Sequence, residues 1–246
     1  FHRTTLRWIR LIKRHFDVPV VVGGAHPTFS PDFINEDGID IICRGEGEQS
    51  LIELCNAIDT KRPYNEIKNL WVKDRDRNII KNDLHRLILD LDTYPYPDYG
   101  IYEKYKDIIN SDEKYLITSR GCSFNCSFCY NEGKRELYKG QRYTRRRNIE
   151  SIINEALNIK SKYNVNTFNL IDDNIGTNRA WLIKFCDEFA KKVKVPFFVS
   201  IRADAADEQI ISCLKKAGCY CLSLGVESGD EYLRKIILGK NITNQQ

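Results

Sequence analysis

From residue 115 onward, short apolar runs alternate with stretches of helical periodicity, and few folds accommodate that rhythm. Tyr115 to Ser119, Thr167 to Ile171, Pro196 to Ile201 and Tyr220 to Val226 have the length and apolar character of buried strands. Between them, Asn148 to Tyr163, Asn178 to Val193 and Asp207 to Ala217 repeat apolar residues at helical spacing, and a fourth helix starts at Asp230 to Ile237. The second of these helices places Trp181, Leu182, Phe185, Cys186 and Phe189 on one face. Asp207 is positioned to cap its helix and Gly218 to end it. Such alternation with short connections predicts a parallel α/β sheet forming part of a (β/α) barrel, where chemistry gathers at the C-terminal ends of the strands.

Directly after the first of these strands lies Cys122-Ser123-Phe124-Asn125-Cys126-Ser127-Phe128-Cys129, a C-x3-C-x2-C spacing. Thiolates are soft ligands suited to iron–sulfur clusters. Three of them on one loop hold three irons of a cubane and leave the fourth iron free of protein ligands, open for chemistry. The plainer readings are a zinc site or three ordinary buried cysteines. Zinc wants a fourth ligand nearby, and all four histidines (His2, His15, His26 and His85) precede the motif.

The spacing, with an aromatic residue before the last cysteine, resembles the signature of the radical S-adenosylmethionine (SAM) superfamily over residues 115 to about 237. The resemblance implies a 4Fe-4S cluster on Cys122, Cys126 and Cys129, whose open iron binds the amino and carboxylate groups of SAM. Electron transfer then cleaves SAM to a 5′-deoxyadenosyl radical that abstracts hydrogen from substrate. It also implies roles for the strand ends. Asp172, Asp173 and Asn174 would hold the methionyl amino group, and Arg202 would contact the SAM carboxylate or the substrate. Glu227 and Ser228, in a G-x-E-S element, would lie near the ribose. Each has a bland counterpart: a loop turn for 172–174, and a surface ion pair for Arg202.

The first sixty residues also alternate helix and strand. An amphipathic helix carries Leu6, Ile9, Ile12 and Phe16. Pro19 to Val22 is a short strand ending in Gly23-Gly24, Ile39 to Cys43 a second, and Ser50 to Ile58 a helix. Glycines after parallel strands let backbone approach a cofactor. Placed before a radical SAM motif, this segment resembles the closing part of a Rossmann-like cobalamin-binding (B12) domain. The D-x-H-x-x-G segment of such domains, which supplies a lower cobalt ligand, does not occur, and His26 stands in the wrong place for that role. Leu70-Trp71-Val72 and Ile79-Ile80 flank a charged turn and predict a hairpin, and Tyr94-Pro95-Tyr96-Pro97 excludes helix. The expected organisation is therefore 1–60 as the C-terminal part of a B12-binding domain, 61–114 as linker and 115–246 as an incomplete radical SAM (β/α) barrel. The barrel reading counts four of the six βα units usual in the family, so the SAM and substrate sites are expected to be incomplete.

No methionine occurs among the 246 residues, and Phe1 falls within a helical pattern; both are read as marks of an internal stretch of a longer protein. No apolar run nears the roughly 20 residues that span a bilayer, no secretory signal pattern occurs, and nine cysteines suit reduced thiols, so the expected location is cytoplasmic. Cys186, Cys213, Cys219 and Cys221 read as small buried hydrophobes rather than an auxiliary cluster. Arg145, Arg146 and Arg147 read as solvated charge with one side chain turned toward SAM, and a net charge of +4 does not call for nucleic acid. The functional expectation is a cobalamin-dependent radical SAM enzyme performing methyl transfer or rearrangement on a small molecule, served by an electron donor such as flavodoxin or ferredoxin. The alternatives are an RNA methylthiotransferase-like enzyme, weakened because only Cys43 and Cys55 lie upstream, and a non-catalytic zinc-binding module.

Overall fold

The computed structural model describes residues 2–246 and divides into two compact units, 1–87 and 88–246. In the first, the helix α1 (His2–His15) buries Leu6 and Ile9, while Ile12 and Phe16 of the same apolar stripe stay exposed. Strand β1 (Val21–Val22) is followed by α2 (Ala25–Phe29), β2 (Ile41–Cys43) and α3 (Glu48–Asp59). The predicted hairpin is present as β3 (Leu70–Lys73) and β4 (Ile79–Lys81). The sheet order is β1-β2-β3-β4, with β1 and β2 parallel and the hairpin added antiparallel to the edge of β2. Residues 61–87 thus belong to the first unit and 88–114 to the second, which divides the segment expected as a linker.

The two glycine-bearing turns of this unit are tied together. Gly24 has φ +99°, a conformation that favours glycine. One turn onward, the buried Thr28 hydroxyl donates to the Gly24 carbonyl (2.7 Å) and accepts from the Gly45 amide (3.0 Å). Behind them, burial and then Glu48 push the Cys43 thiol up to about 11.

The second unit begins with α4 (Lys106–Ile109) and β5 (Glu113–Leu116), then β6 (Ser119–Arg120), α5 (Tyr130–Leu137), β7 (Arg145–Arg146) and α6 (Ile149–Lys162). It continues with β8 (Thr167–Leu170), α7 (Arg179–Lys192), β9 (Phe197–Arg202), α8 (Glu208–Lys216), β10 (Cys219–Gly225) and a π-helical turn at Leu233–Ile237. Four strands form a parallel sheet in the order β10-β9-β8-β5, and β6 and β7 pair antiparallel beside it. The helices cover one face through a core that includes Phe168, Phe185, Phe189 and Phe197, all at 0% exposure. Phe189 and Phe197 meet edge to face with centroids 5.1 Å apart, a favourable aromatic geometry. Asp207 caps α8 by accepting from the Ile210 amide at 3.0 Å, as its position in the sequence implies, and Asn178 caps α7 in the same way.

The first strand of this sheet stops at Leu116, earlier than the expected Ser119. The physical reason is a buried carboxylate that pulls Thr118 and Ser119 out of the sheet. Among the described residues, no helix is long and apolar enough to cross a membrane.

Candidate functional site

That carboxylate belongs to Asp172, at the end of β8. Its Oδ1 accepts from the Thr118 amide (3.0 Å), the Ser119 amide and the Ser119 hydroxyl (2.9 Å), and its Oδ2 accepts from the Thr118 hydroxyl (2.8 Å). Burial pushes this carboxyl above the usual carboxylate range, and the hydrogen bonds from Thr118 and Ser119 and the charge of Arg146 work against that rise. Asp172 is spent on the chain that launches the cysteine loop.

Asp173 takes hold of the loop itself. It accepts from the Gly121 amide (3.1 Å) at one end and from the Tyr130 hydroxyl at the other. Burial, and then the bond to Asp173, raise the Tyr130 phenol above its ordinary value. Gly121 is required where it stands: φ is +82°, and a Cβ there would lie 2.7 Å from the Tyr143 carbonyl oxygen. Arg135 reaches back from α5 to the carbonyls of Cys122 (3.3 Å) and Phe124. The Ser127 amide and hydroxyl donate to the carbonyls of Leu238 (3.0 Å) and Ile237 (2.8 Å).

So pinned, the loop presents Cys122, Cys126 and Cys129 to one cavity of about 220 Å³, which Asp173, Asn174, Arg202, Glu227 and Lys240 also line. Cys129 sits at the N-terminus of α5 without using its side chain as a cap, so its sulfur is free to ligate. Its Sγ lies 3.7 Å from the Asn131 amide nitrogen. Burial raises the Cys122 thiol, a hydrogen bond from the Phe124 backbone works against that rise, and Asp173 adds a smaller push upward. Among the described residues, no three His, Cys, Asp or Glu side chains converge on a point where a single ion could sit. A cubane does not need such convergence, because each thiolate meets its own iron.

The other predicted positions distribute themselves around this cavity. Asn174 caps the following turn by accepting from the Gly176 amide (3.1 Å), and its Nδ2 is buried without a partner while its side chain lines the cavity. Arg202 is no surface ion pair: at 8% exposure it contacts Cys126 and Asp204. Glu227 has φ +70° and accepts from Lys240 at 2.9 Å. Ser228 stands outside the lining; its hydroxyl accepts from the Asp230 amide (3.1 Å) and its carbonyl from Arg234. Gly23 and Gly24 belong to the first unit, where Gly24 has open space on its Cβ side.

The arginine run differs from its sequence reading. Arg145 is 1% exposed and donates to the carbonyls of Tyr143 (3.2 Å) and Ile88 (2.8 Å). Arg146 stacks over Trp181 at 4.3 Å and donates to the Thr177 hydroxyl (2.7 Å), and Arg147 pairs with Asp92 and Glu155. These are interior fasteners rather than solvated charge, because pairing with β6 draws the run into the fold. Lys240, Asn131 and Tyr130 escaped sequence reasoning. The last two carry a signal in hindsight, adjoining Cys129 at a helix start; Lys240 carries none. Of the C-terminal cysteines expected to be small buried hydrophobes, Cys186 is 1% exposed with its thiol raised by burial. Cys213, whose sulfur contacts the Ile183 carbonyl at 3.9 Å, and Cys219 are half-buried and Cys221 is exposed, because β10 is the edge strand of its sheet and stays largely open to solvent. A larger cavity of about 580 Å³ runs between β5 and the Tyr-Pro segment but holds none of the three motif cysteines.

Residues 116–246 match the radical SAM superfamily, and residues 2–55 match the B12 binding domain. An uncharacterised methyltransferase of Pyrococcus horikoshii is 30% identical over 236 residues, covering 94% of this chain and 50% of that protein. The anaerobic magnesium-protoporphyrin IX monomethyl ester cyclase of Rubrivivax gelatinosus is 31% identical over 241 residues, covering 94% of this chain and 42% of the cyclase. The chain therefore spans half or less of the length of these relatives. Among solved structures, the radical SAM methyltransferase TsrM from Kitasatospora setae superposes with TM-score 0.73 at 18% identity, over 98% of this chain and 48% of TsrM. The cobalamin-dependent radical SAM enzyme OxsB superposes with TM-score 0.73 at 22% identity, over 99% of this chain and 36% of OxsB. Both likenesses concern the fold.

Proposed function

The chain belongs to the radical SAM superfamily, and from that premise we propose that it is the part of a cobalamin-dependent radical SAM enzyme that holds a 4Fe-4S cluster on Cys122, Cys126 and Cys129. The observation that carries this reading is the pinned cysteine loop: three thiols facing one cavity that polar groups of both charges also line. When bound, the cluster and SAM supply reductive cleavage of SAM to a 5′-deoxyadenosyl radical, and cobalamin supplies a carrier for the transferred group.

The residues fit these groups. The buried Nδ2 of Asn174 has no acceptor among the described residues, and Asn174 is one of the residues lining the cavity, as suits a donor awaiting a ligand oxygen. Asp173, which lines the cavity, would hold an ammonium, and Glu227, which also lines it, would accept from a ribose hydroxyl. Asp172 acts one step back, by setting where the loop begins. In the first unit, Gly24 offers open backbone just past the end of β1, where parallel sheets bind cofactors, and Gly23 beside it packs against Cys43.

Methyl transfer or a related rearrangement of a small molecule is the reaction that the named relatives favour, since they are a methyltransferase and a cyclase. A one-electron donor such as flavodoxin or ferredoxin, a cytoplasmic setting and no nucleic acid complete the reading; nine free cysteines suit a reducing compartment. The test is anaerobic reconstitution of the full chain followed by EPR of the reduced protein with and without SAM. A 4Fe-4S signal that SAM perturbs, lost in the triple Cys→Ala variant, is the expected result. Zinc without sulfide in a folded protein would sink the proposal.

A further inference from the structure

The guanidinium of Arg202 touches the cysteine loop at two places. Its Nη1 lies 3.5 Å from the Sγ of Cys126, within hydrogen-bonding reach of sulfur, and its Cζ lies 3.6 Å from the ring centre of Phe124. The same group is held from behind by Asp204 in a two-point fork, Nε to Oδ1 and Nη2 to Oδ2, each 3.0 Å. Arginine is at 8% exposure and Cys126 at 9%, so the contact is removed from water. Arg202 ends β9 and Cys126 lies 76 residues earlier; the fold has brought a cation and a candidate iron ligand together and fixed the angle between them.

A cation that donates an N–H to a cluster thiolate stabilises the more negative, reduced form over the oxidised one, because the sulfur carries more charge after the electron arrives. Hydrogen bonds to sulfur and local charge are among the features that set cluster potentials. Low surrounding dielectric magnifies both effects. The Asp204 fork keeps the guanidinium in plane and leaves one nitrogen free for the sulfur.

We propose that Arg202 is a positioning residue for the cluster: its contact with the Cys126 sulfur raises the reduction potential and so eases acceptance of the electron. This rests on the assignment of the cluster to Cys122, Cys126 and Cys129. The step is one-electron reduction of the cluster, with dithionite as the donor in the test, and no proton moves.

The experiment compares wild type, Arg202→Met and Arg202→Lys as reconstituted full chains. Iron and sulfide are measured first, and the SAM-free proteins are then titrated with dithionite and mediators while EPR reads the reduced cluster. With full iron and sulfide, Arg202→Met is expected to show a reduced-to-oxidised ratio about tenfold lower at the wild-type midpoint, about 59 mV for one electron. Arg202→Lys keeps the charge but loses the fork, and is expected to shift less in the same direction. An unchanged midpoint in a cluster-loaded Met variant overturns the proposal, even if SAM binds more weakly. Should the Met variant hold no cluster, the Lys variant decides by the same criterion. A wild-type chain that takes up no cluster rejects the underlying assignment instead, so the two failures are distinguishable.

Discussion

Replacing Asp172 by alanine is the sharpest probe of how this site is built. The carboxylate serves four donors from Thr118 and Ser119, residues that are 0% and 3% exposed. Alanine leaves two buried amides without acceptors at about 1–3 kcal/mol each, while the two hydroxyls are free to turn. Removing a carboxylate whose burial already penalises its charge gives part of this back. The net is about 2–4 kcal/mol out of a total stability of roughly 5–15 kcal/mol. With urea m-values of about 1–3 kcal/mol/M, the midpoint should fall by about 0.7–4 M. Asp172→Asn should cost only about 1 kcal/mol, because one oxygen still accepts from both amides. The assay is urea unfolding followed by circular dichroism, paired with iron uptake on reconstitution. Equal midpoints for Ala, Asn and wild type would refute the claim that this carboxylate anchors the cysteine loop. A large Ala effect with undiminished iron uptake would refute its link to the site.

Two further outcomes follow from single positions. Gly239 has φ +60° and a Cβ there would lie 3.0 Å from the Asn125 carbonyl oxygen, so Gly239→Ala should lower stability by about 1–2 kcal/mol and loosen the loop, read as faster amide exchange at Ser127. The Cys43 thiol, pushed up to about 11 by burial and then Glu48, is raised in the folded state, so it stays protonated at neutral pH and ionises only as pH rises toward that value. Against an ordinary thiol of 9.0, its folded-state alkylation at pH 8 should be about a hundredfold slower from ionisation alone, with the exposed Cys55 as internal control. Equal rates at the two cysteines would contradict that shift.

The strands and helices were legible along the chain because their signals are local. Apolar periodicity marks α6, α7 and α8 whatever surrounds them, and Asp207 caps its helix three residues away. The cysteine spacing was legible for the same reason: three candidate ligands on one short loop need no distant partner to be recognised.

The division of labour among polar residues was not legible. Asp172 and Asp173 are adjacent in sequence, yet one fastens the strand end 53 and 54 residues earlier and the other faces the cavity. Both lie beyond Leu170, the last residue of β8, so the path of the loop after the strand decides that, and it is not written at either position. The same holds for the arginine run, which reads as solvated charge until β6 and β7 pair and carry Arg145 inside. Sequence alone therefore determined the main strands and helices of the parallel sheet and which three thiols share one short loop. Tertiary structure alone decided which charges meet: Arg202 with the Cys126 sulfur, Glu227 with Lys240, Arg147 with Glu155. A hydrophobic pattern is the sum of local preferences, whereas each of these contacts exists only once the fold has brought residues from different elements together.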